Sequence, residues 1–349
     1  MIHDRTAMSA ARLMDVEKYV VETVERPGRQ AEDDVLLRIE LCGVCGSDVR
    51  AWRRGAGAPG PSGGGGHEAV ATVVETGAGS RFQGGDRVVV EPPAVGSCGA
   101  CGPCREGARW FCEGRTGMFP GAYAEYLVAP DHALFALPGD LPDRAAILAE
   151  PVACGVHALR ASWTAGLAEG DLRDVRVAVI GAGLLGLGAV MAAVELNAAE
   201  VVVVGRHPQQ RHAALDLGAT AALADDAQAR EHLKRMRPNV VVEAAGSPDA
   251  ADLADSVVGR RGEVIDLAAA GGNRSTAIAS RRELRYFHPI AYSAQDGVAD
   301  IDLALRLLAA NAEAIAGWDI PEVPLADIQG AFTAAGGPSR GHIRMAIRP

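Results

Sequence analysis

The chain's 349 residues, 48% of them apolar, are enough for two domains with well-filled cores. A formal net charge of -10 with no basic run argues against a nucleic-acid partner, and the surplus of acid reads as solubility. Seven cysteines, behind an N-terminus (Met1 to Thr6) without an apolar leader, point to a cytoplasmic chain that uses its thiols for metal or thiol chemistry.

Residues 1 to about 30 read as a polar lead and a hairpin ending at Arg26-Pro27-Gly28. A strand over Asp34 to Cys42 delivers a turn, Gly43 to Asp48, that brings together the Cys45 thiol, the Ser47 hydroxyl and the Asp48 carboxylate. The glycine- and proline-rich stretch from Gly55 to Gly66 is a loop, and it ends on His67-Glu68 and a strand through Glu75. A further turn, Gly84 to Asp86, leads into a strand from Arg87. Many short strands with glycine-rich turns before residue 130 predict a compact, barrel-like β domain.

Cys98-x2-Cys101-x2-Cys104-x7-Cys112 lies in a lobe of about 92–115. Four thiolates at this spacing can close a tetrahedral Zn–S4 site, and a site with no open position is structural. Two disulfides or an iron–sulfur cluster share the spacing and stay open. A strand near Ala122 to Val128 follows. Glu150-Pro151 then suits a helix start, which places a carboxylate at an element boundary. The pattern from about 153 to 167 is helical, with His157 read as packing.

Val175 to Ile180 is β-rich and meets Gly181-x-Gly183-x-x-Gly186, after which a helical pattern runs through about Asn197. The first glycine allows the turn, the second clears space for a pyrophosphate, and the third lets helix and sheet pack closely. The helix N-terminus at Leu184 and Leu185 offers N–H groups and a partial positive charge to the phosphates. Val177 to Val194 carries no charge over 18 residues, which touches the length of a membrane helix. Its glycines, and the strand–helix units that follow at regular intervals, favour a buried nucleotide-binding unit instead.

Beyond it, strands are predicted over Glu200 to Val204, Asn239 to Glu243 and Glu263 to Leu267, with an edge strand over Glu283 to Phe287. Helices are predicted over Pro208 to Leu217, from Ser247-Pro248 to Gly259, and over Asp300 to Ala310. The tail, His342 to Ile347, alternates as a strand. The chain therefore leaves the β domain, builds the nucleotide domain and returns, with expected boundaries 1–152, 153–288 and 289–349. The exposed edge strand suits pairing into a homodimer or homotetramer.

Taken in order, Cys45, Gly66-His67-Glu68, the cysteine quartet, Glu150-Pro151 and the Gly181 fingerprint resemble the zinc-dependent medium-chain dehydrogenases, the superfamily of alcohol, polyol and threonine dehydrogenases. The resemblance spans nearly the whole chain. It implies a GroES-like β-barrel catalytic domain in two segments flanking a Rossmann doubly wound parallel-sheet domain, an α/β architecture with two Zn2+ per chain. It also implies that Cys45 and His67 hold the catalytic zinc. Glu68 or Glu150 would be the third ligand, and Cys98, Cys101, Cys104 and Cys112 would hold the structural one. Ser47 matches the hydroxyl that passes the substrate proton outward, with Asp48 orienting its neighbours. Many members carry a histidine three residues after that serine. Here Arg50 stands there, and arginine cannot act as a base at neutral pH.

Enzymes that use NAD end the second nucleotide strand with an acid for the ribose 2′-OH. Here Gly205 takes that place, and Arg206, with Arg211 one turn on, can meet a 2′-phosphate. NADP(H) is therefore expected over NAD(H). The expected activity is hydride transfer between NADP and an alcohol, which can be a sugar, a polyol or an amino alcohol. An NADPH-driven reductase of an aldehyde, ketone or activated alkene stays open, as does a catalytically silent NADPH-binding protein. Cys45, His67 and Ser47 count against the silent protein, since binding alone needs none of them. The substrate pocket is expected to be lined by Trp52, the Gly55 to Gly66 loop, Tyr123 and the stretch from Tyr286 to Tyr292.

Overall fold

The computed structural model describes residues 6–55, 65–268, 276–337 and 342–349. The chain divides into two compact units, Met1–Glu150 with Asp319–Pro349, and Pro151–Trp318.

In the first unit the strand Asp34–Gly43 is central. Its apolar run, Val35, Leu36, Leu37, Ile39, Leu41 and Cys42, is buried, as expected of a strand covered on both faces. It pairs antiparallel with Glu68–Glu75, Tyr126–Pro130 and Ala346–Arg348. Arg87–Val90 and Leu134–Ala136 extend the sheet on one side, and Glu322–Pro324 extends it on the other. A separate hairpin joins Ala7–Asp15 to Lys18–Glu25. The chain thus does return at its end to the β unit.

The stretch expected as a turn, Gly43 to Asp48, instead runs into the helix Gly46–Arg54, with Gly46 to Asp48 forming its first turn. Its start is fixed locally. The Cys45 N–H donates to Asp48 Oδ2 at 3.3 Å, a reciprocal cap of the first turn. Arg53 and Arg54 sit in its last turn, favourable against the helix dipole. Trp52, on this helix, packs against Phe332 with ring centroids 6.0 Å apart, and Phe332 also meets Tyr19 at 4.6 Å and Tyr123 at 5.6 Å. Each such aromatic pair is worth about 0.5–1.5 kcal/mol beyond the area it buries. Trp52 and Tyr123 are only 4% and 2% exposed. Both belong to the buried core of this unit. The Gly55 to Gly66 loop falls largely on 56–64, outside the described residues.

The second unit holds a parallel sheet in the spatial order Ala221–Leu223, Glu200–Val204, Arg176–Ile180, Val240–Glu243, Glu263–Asp266 and Arg285–Phe287. Val177 to Val179 and Val201 to Val204 are buried, which explains their continuous apolar runs. The uncharged stretch Val177 to Val194 divides into a strand, a glycine turn and the helix Leu184–Glu195. No helix among the described residues is long and apolar enough to cross a membrane. The short strand Ala221–Leu223 and the helix Ala227–Met236, which Asp226 caps through the Ala229 N–H at 2.9 Å, carry no strong sequence signal.

One boundary differs from expectation. Residues 289–318 group with the second unit. Asp300, 1% exposed at the start of the helix Asp300–Ala310, receives Arg160 at 2.5 Å, His157 Nδ1 at 2.9 Å and the Ser293 N–H at 2.9 Å. This buried ion-pair cluster ties the segment after the edge strand to the helix Ala149–Arg160, so His157 does more than pack.

Candidate functional site

Two antiparallel strands and one helix start assemble the first cluster. Gly43 faces Glu68 in the register of Asp34–Gly43 with Glu68–Glu75. A Cβ on Gly43 would collide with Glu68 Oε2, so only glycine admits the carboxylate there. Cys45 caps the helix two residues later. The result is that Cys45, His67 and Glu68 each offer one ligand atom, all lying within 4.8 Å of one another. Among the described residues Glu150, on the first turn of Ala149–Arg160, stands outside that group.

The cluster is almost dry. His67 is 4% and Glu68 1% exposed. Glu68 Oε1 accepts from Arg344 Nη2 at 2.8 Å, while Arg344 Nη1 donates to the Val44 carbonyl at 3.0 Å. Glu68 Oε2 and the Ser47 hydroxyl are buried with no hydrogen-bond partner among the described residues. His67 Nδ1 lies 3.3 Å from Asp48 Oδ1, without the alignment of a hydrogen bond.

The electrostatics follow from burial. Desolvation pushes the Glu68 carboxyl well above its ordinary range, against the pull of Arg344. It likewise pushes Glu150 up to about 7, against the charge of His67. Burial also works to raise the Cys45 thiol, but His67 and Arg344 outweigh it and bring the thiol down to about 6. His67 is held well above its usual value: burial opposes its charge, while Asp48 and Cys45 favour it. A thiolate, an imidazole and a carboxylate with an unpartnered oxygen, crowded where water cannot screen them, fit a divalent cation.

The second cluster is the quartet. Cys98, Cys101, Cys104 and Cys112 bring their Sγ atoms within 4.8 Å of one another, with Cys98 and Cys104 at 4.0 Å. All seven cysteines are free, which removes the disulfide reading. Four sulfurs about 2.3 Å from one zinc stand roughly 3.8 Å apart. An iron–sulfur cluster spreads its cysteines over several irons and holds them wider, so the spacing here fits a single ion. Backbone N–H groups of Cys98 and Cys101 donate to Cys112 Sγ at 3.2 Å and Cys98 Sγ at 3.4 Å. Backbone and side-chain hydrogen bonds bring the Cys98 thiol down to about 6, while burial pushes Cys104 up to about 12.

In the second unit each fingerprint glycine has its own steric setting. Gly181 has φ 104° and lies where a Cβ would come 2.6 Å from the Ala245 nitrogen. Gly183 caps the helix Leu184–Glu195 and faces open space. A Cβ on Gly186 would collide with the Gly181 carbonyl. At the end of Glu200–Val204, a Cβ on Gly205 would stand 2.7 Å from Ala182 Cβ, so the loop itself requires glycine there. Arg211 Nη1 donates to the carbonyls of Gly205 and Arg206 at 2.8 and 3.0 Å and braces the turn. Arg206 is exposed at its tip, as is Arg50 on the helix Gly46–Arg54.

Comparison with known proteins identifies the family. Residues 31–139 match the alcohol dehydrogenase GroES-like domain, and residues 185–309 match the zinc-binding dehydrogenase domain. An uncharacterised zinc-type alcohol dehydrogenase-like protein of Escherichia coli (strain K12) is 32% identical over 257 residues, 69% of this chain and 72% of that protein. The sorbitol dehydrogenase of Bacillus subtilis (strain 168) is 30% identical over 273 residues, 74% of each chain. The crystal structure of an Escherichia coli oxidoreductase/dehydrogenase of unknown specificity aligns with a TM-score of 0.83 at 27% identity, over 98% of this chain and 99% of that one. The chain belongs to the zinc-dependent medium-chain dehydrogenase family, oxidoreductases that act on CH–OH groups, with a GroES-like and a Rossmann-like domain.

Proposed function

We propose that this dehydrogenase moves hydride between the carbinol carbon of a polyol-type alcohol and NADP(H), with one zinc held by Cys45, His67 and Glu68 and a second by the cysteine quartet. The observation that carries the reading is the buried Cys45–His67–Glu68 cluster with the unpartnered Ser47 hydroxyl two residues from its thiolate. Zinc held there supplies the Lewis-acid chemistry that alcohol oxidation needs. Ser47 takes the substrate hydroxyl proton. Arg50, exposed and permanently charged, cannot accept it, so water carries the proton onward. Glu150 stays near the cluster as a carboxyl poised close to neutrality, suited to exchange with the ligands rather than to permanent ligation.

The Gly181–Gly186 loop and the helix start at Leu184 and Leu185 take the pyrophosphate. Arg206 meets the 2′-phosphate while Arg211 holds the turn in shape, and the absence of a carboxylate at Gly205 removes repulsion against it. The polyol class rests on the likeness to sorbitol dehydrogenase. We further propose a cytoplasmic homo-oligomer, paired through the edge strand Arg285–Phe287. A panel of polyols, sugars and amino alcohols, assayed for NADPH and NADH formation, tests the reading. Alcohol-dependent NADPH formation is expected. NADPH consumption by carbonyls or activated alkenes, with no oxidation of any alcohol, would favour the reductase instead.

A further inference from the structure

Asp48 has two carboxylate oxygens in different surroundings. Oδ2 collects three donors: the Tyr123 hydroxyl at 2.9 Å, the Cys45 N–H at 3.3 Å and the Gly66 N–H at 3.4 Å. Oδ1 faces His67 Nδ1 at 3.3 Å. A carboxylate can rotate to present either oxygen, so the donors on Oδ2 decide what the imidazole meets. Tyr123 is the shortest of the three. Its hydroxyl also lies 3.2 Å from the Gly43 carbonyl, but it has one proton, and the nearer, charged acceptor takes it. Its ring is held edge-on by Tyr19 and Phe332, at interplanar angles of 88° and 90°. Asp48 and Tyr123 are each 2% exposed, so no water competes for the bond. Tyr123 comes from a segment outside every motif that marks the site.

We propose that the Tyr123 hydroxyl is a positioning group for metal binding: by fixing Asp48 it keeps the carboxylate charge 3.3 Å from His67 Nδ1 and so favours the ring orientation that leaves Nε2 for the ion. This rests on the reading that Cys45, His67 and Glu68 hold zinc. Outer partners of this kind typically change metal affinity 10–100-fold. Tyr123→Phe deletes one atom and keeps the ring in its cluster.

The test is zinc titration of the full chain against a chromophoric chelator, which separates the quartet from the Cys45–His67–Glu68 site. Tyr123→Phe should weaken the latter by about 10-fold and leave the zinc affinity of the quartet unchanged. In an Asp48→Asn background the same substitution should cost nothing further, because the bond acts through the carboxylate. Equal zinc affinity in wild type and Tyr123→Phe would overturn the proposal, as would a full additive loss in Asp48→Asn. Should Tyr123→Phe fail to fold, 3-fluorotyrosine at 123, a stronger donor of nearly the same shape, should tighten the site, and an unchanged affinity would overturn the proposal. A wild type that binds zinc only at the quartet would overturn the zinc reading itself, a result distinct from loss of the positioning role alone.

Discussion

Replacing Arg344 by methionine keeps much of the apolar stem and removes the guanidinium. The substitution deletes a 2.8 Å charged hydrogen bond to Glu68 Oε1 and a 3.0 Å bond to the Val44 carbonyl. The two side chains are 12% and 0% exposed, so solvent screens little of the pair. Glu68 Oε2 already has no partner among the described residues, and Arg344→Met removes the stronger of the two charges that favour the carboxylate, leaving only His67. Breaking a buried pair in this way costs about 3–5 kcal/mol, a large part of a typical folding stability of roughly 5–15 kcal/mol. The urea midpoint of the first unit's transition should fall by roughly 1–2.5 M for slopes of about 2–3 kcal/mol per M.

Two controls follow from the same geometry. Glu68→Gln in the Arg344→Met background should recover much of the loss, because a neutral amide needs no counter-charge. Added zinc should also narrow the deficit, since a cation beside Glu68 replaces the missing guanidinium. The pH dependence has a defined sign. Burial raises the folded pKa of Glu68 above its ordinary 4.5, so the folded state holds its proton longer than the unfolded chain. The deficit of Arg344→Met should therefore be smallest below that value and grow as pH rises. A loss under about 1 kcal/mol at neutral pH, within the range of an exposed pair, or no recovery with Glu68→Gln, would refute the reasoning.

Arg206→Ala should cost about 1.5–3 kcal/mol of NADP binding, the worth of a charged hydrogen bond, and leave NAD nearly unchanged in a cofactor titration; equal losses would remove Arg206 as the 2′-phosphate contact. Gly186→Ala should abolish binding of both cofactors by calorimetry, because the added methyl collides with the Gly181 carbonyl. Cys104→Ser should remove the quartet zinc and lower the first unit's unfolding midpoint, since structural zinc contributes folding free energy directly; a fully folded variant with unchanged metal content would contradict this.

Within the nucleotide unit, the glycine fingerprint and the two strands flanking it were plainly legible, whereas the strand Ala221–Leu223 and the helix Ala227–Met236 were not. Each fingerprint glycine answers one local steric demand, and the runs Val177 to Val179 and Val201 to Val204 match buried parallel strands residue for residue. The quartet was equally plain, because its geometry is local to one short lobe. Less legible were features that depend on distant packing. The aromatic cluster around Tyr123 and Trp52 could not be read from residue type, because it needs Phe332 from near the chain's end. Arg344 carried no motif and reaches Glu68 only because the last strand, Ala346–Arg348, pairs with Asp34–Gly43. The boundary expected at 288 missed Asp300, whose partners His157 and Arg160 lie far back in sequence. The alternation of the tail was visible, but the paired residues begin only at Ala346.

The most direct test of the account is zinc content and turnover measured on the same preparations. Wild-type protein purified without chelator should hold close to two zinc ions per chain and reduce NADP in the presence of an alcohol. Cys45→Ala should hold close to one, keep its fold and NADP affinity, and lose alcohol oxidation. A wild type with a single zinc that Cys45→Ala retains, with alcohol oxidation intact in that variant, would contradict the central claim that the Cys45–His67–Glu68 cluster is the catalytic metal site.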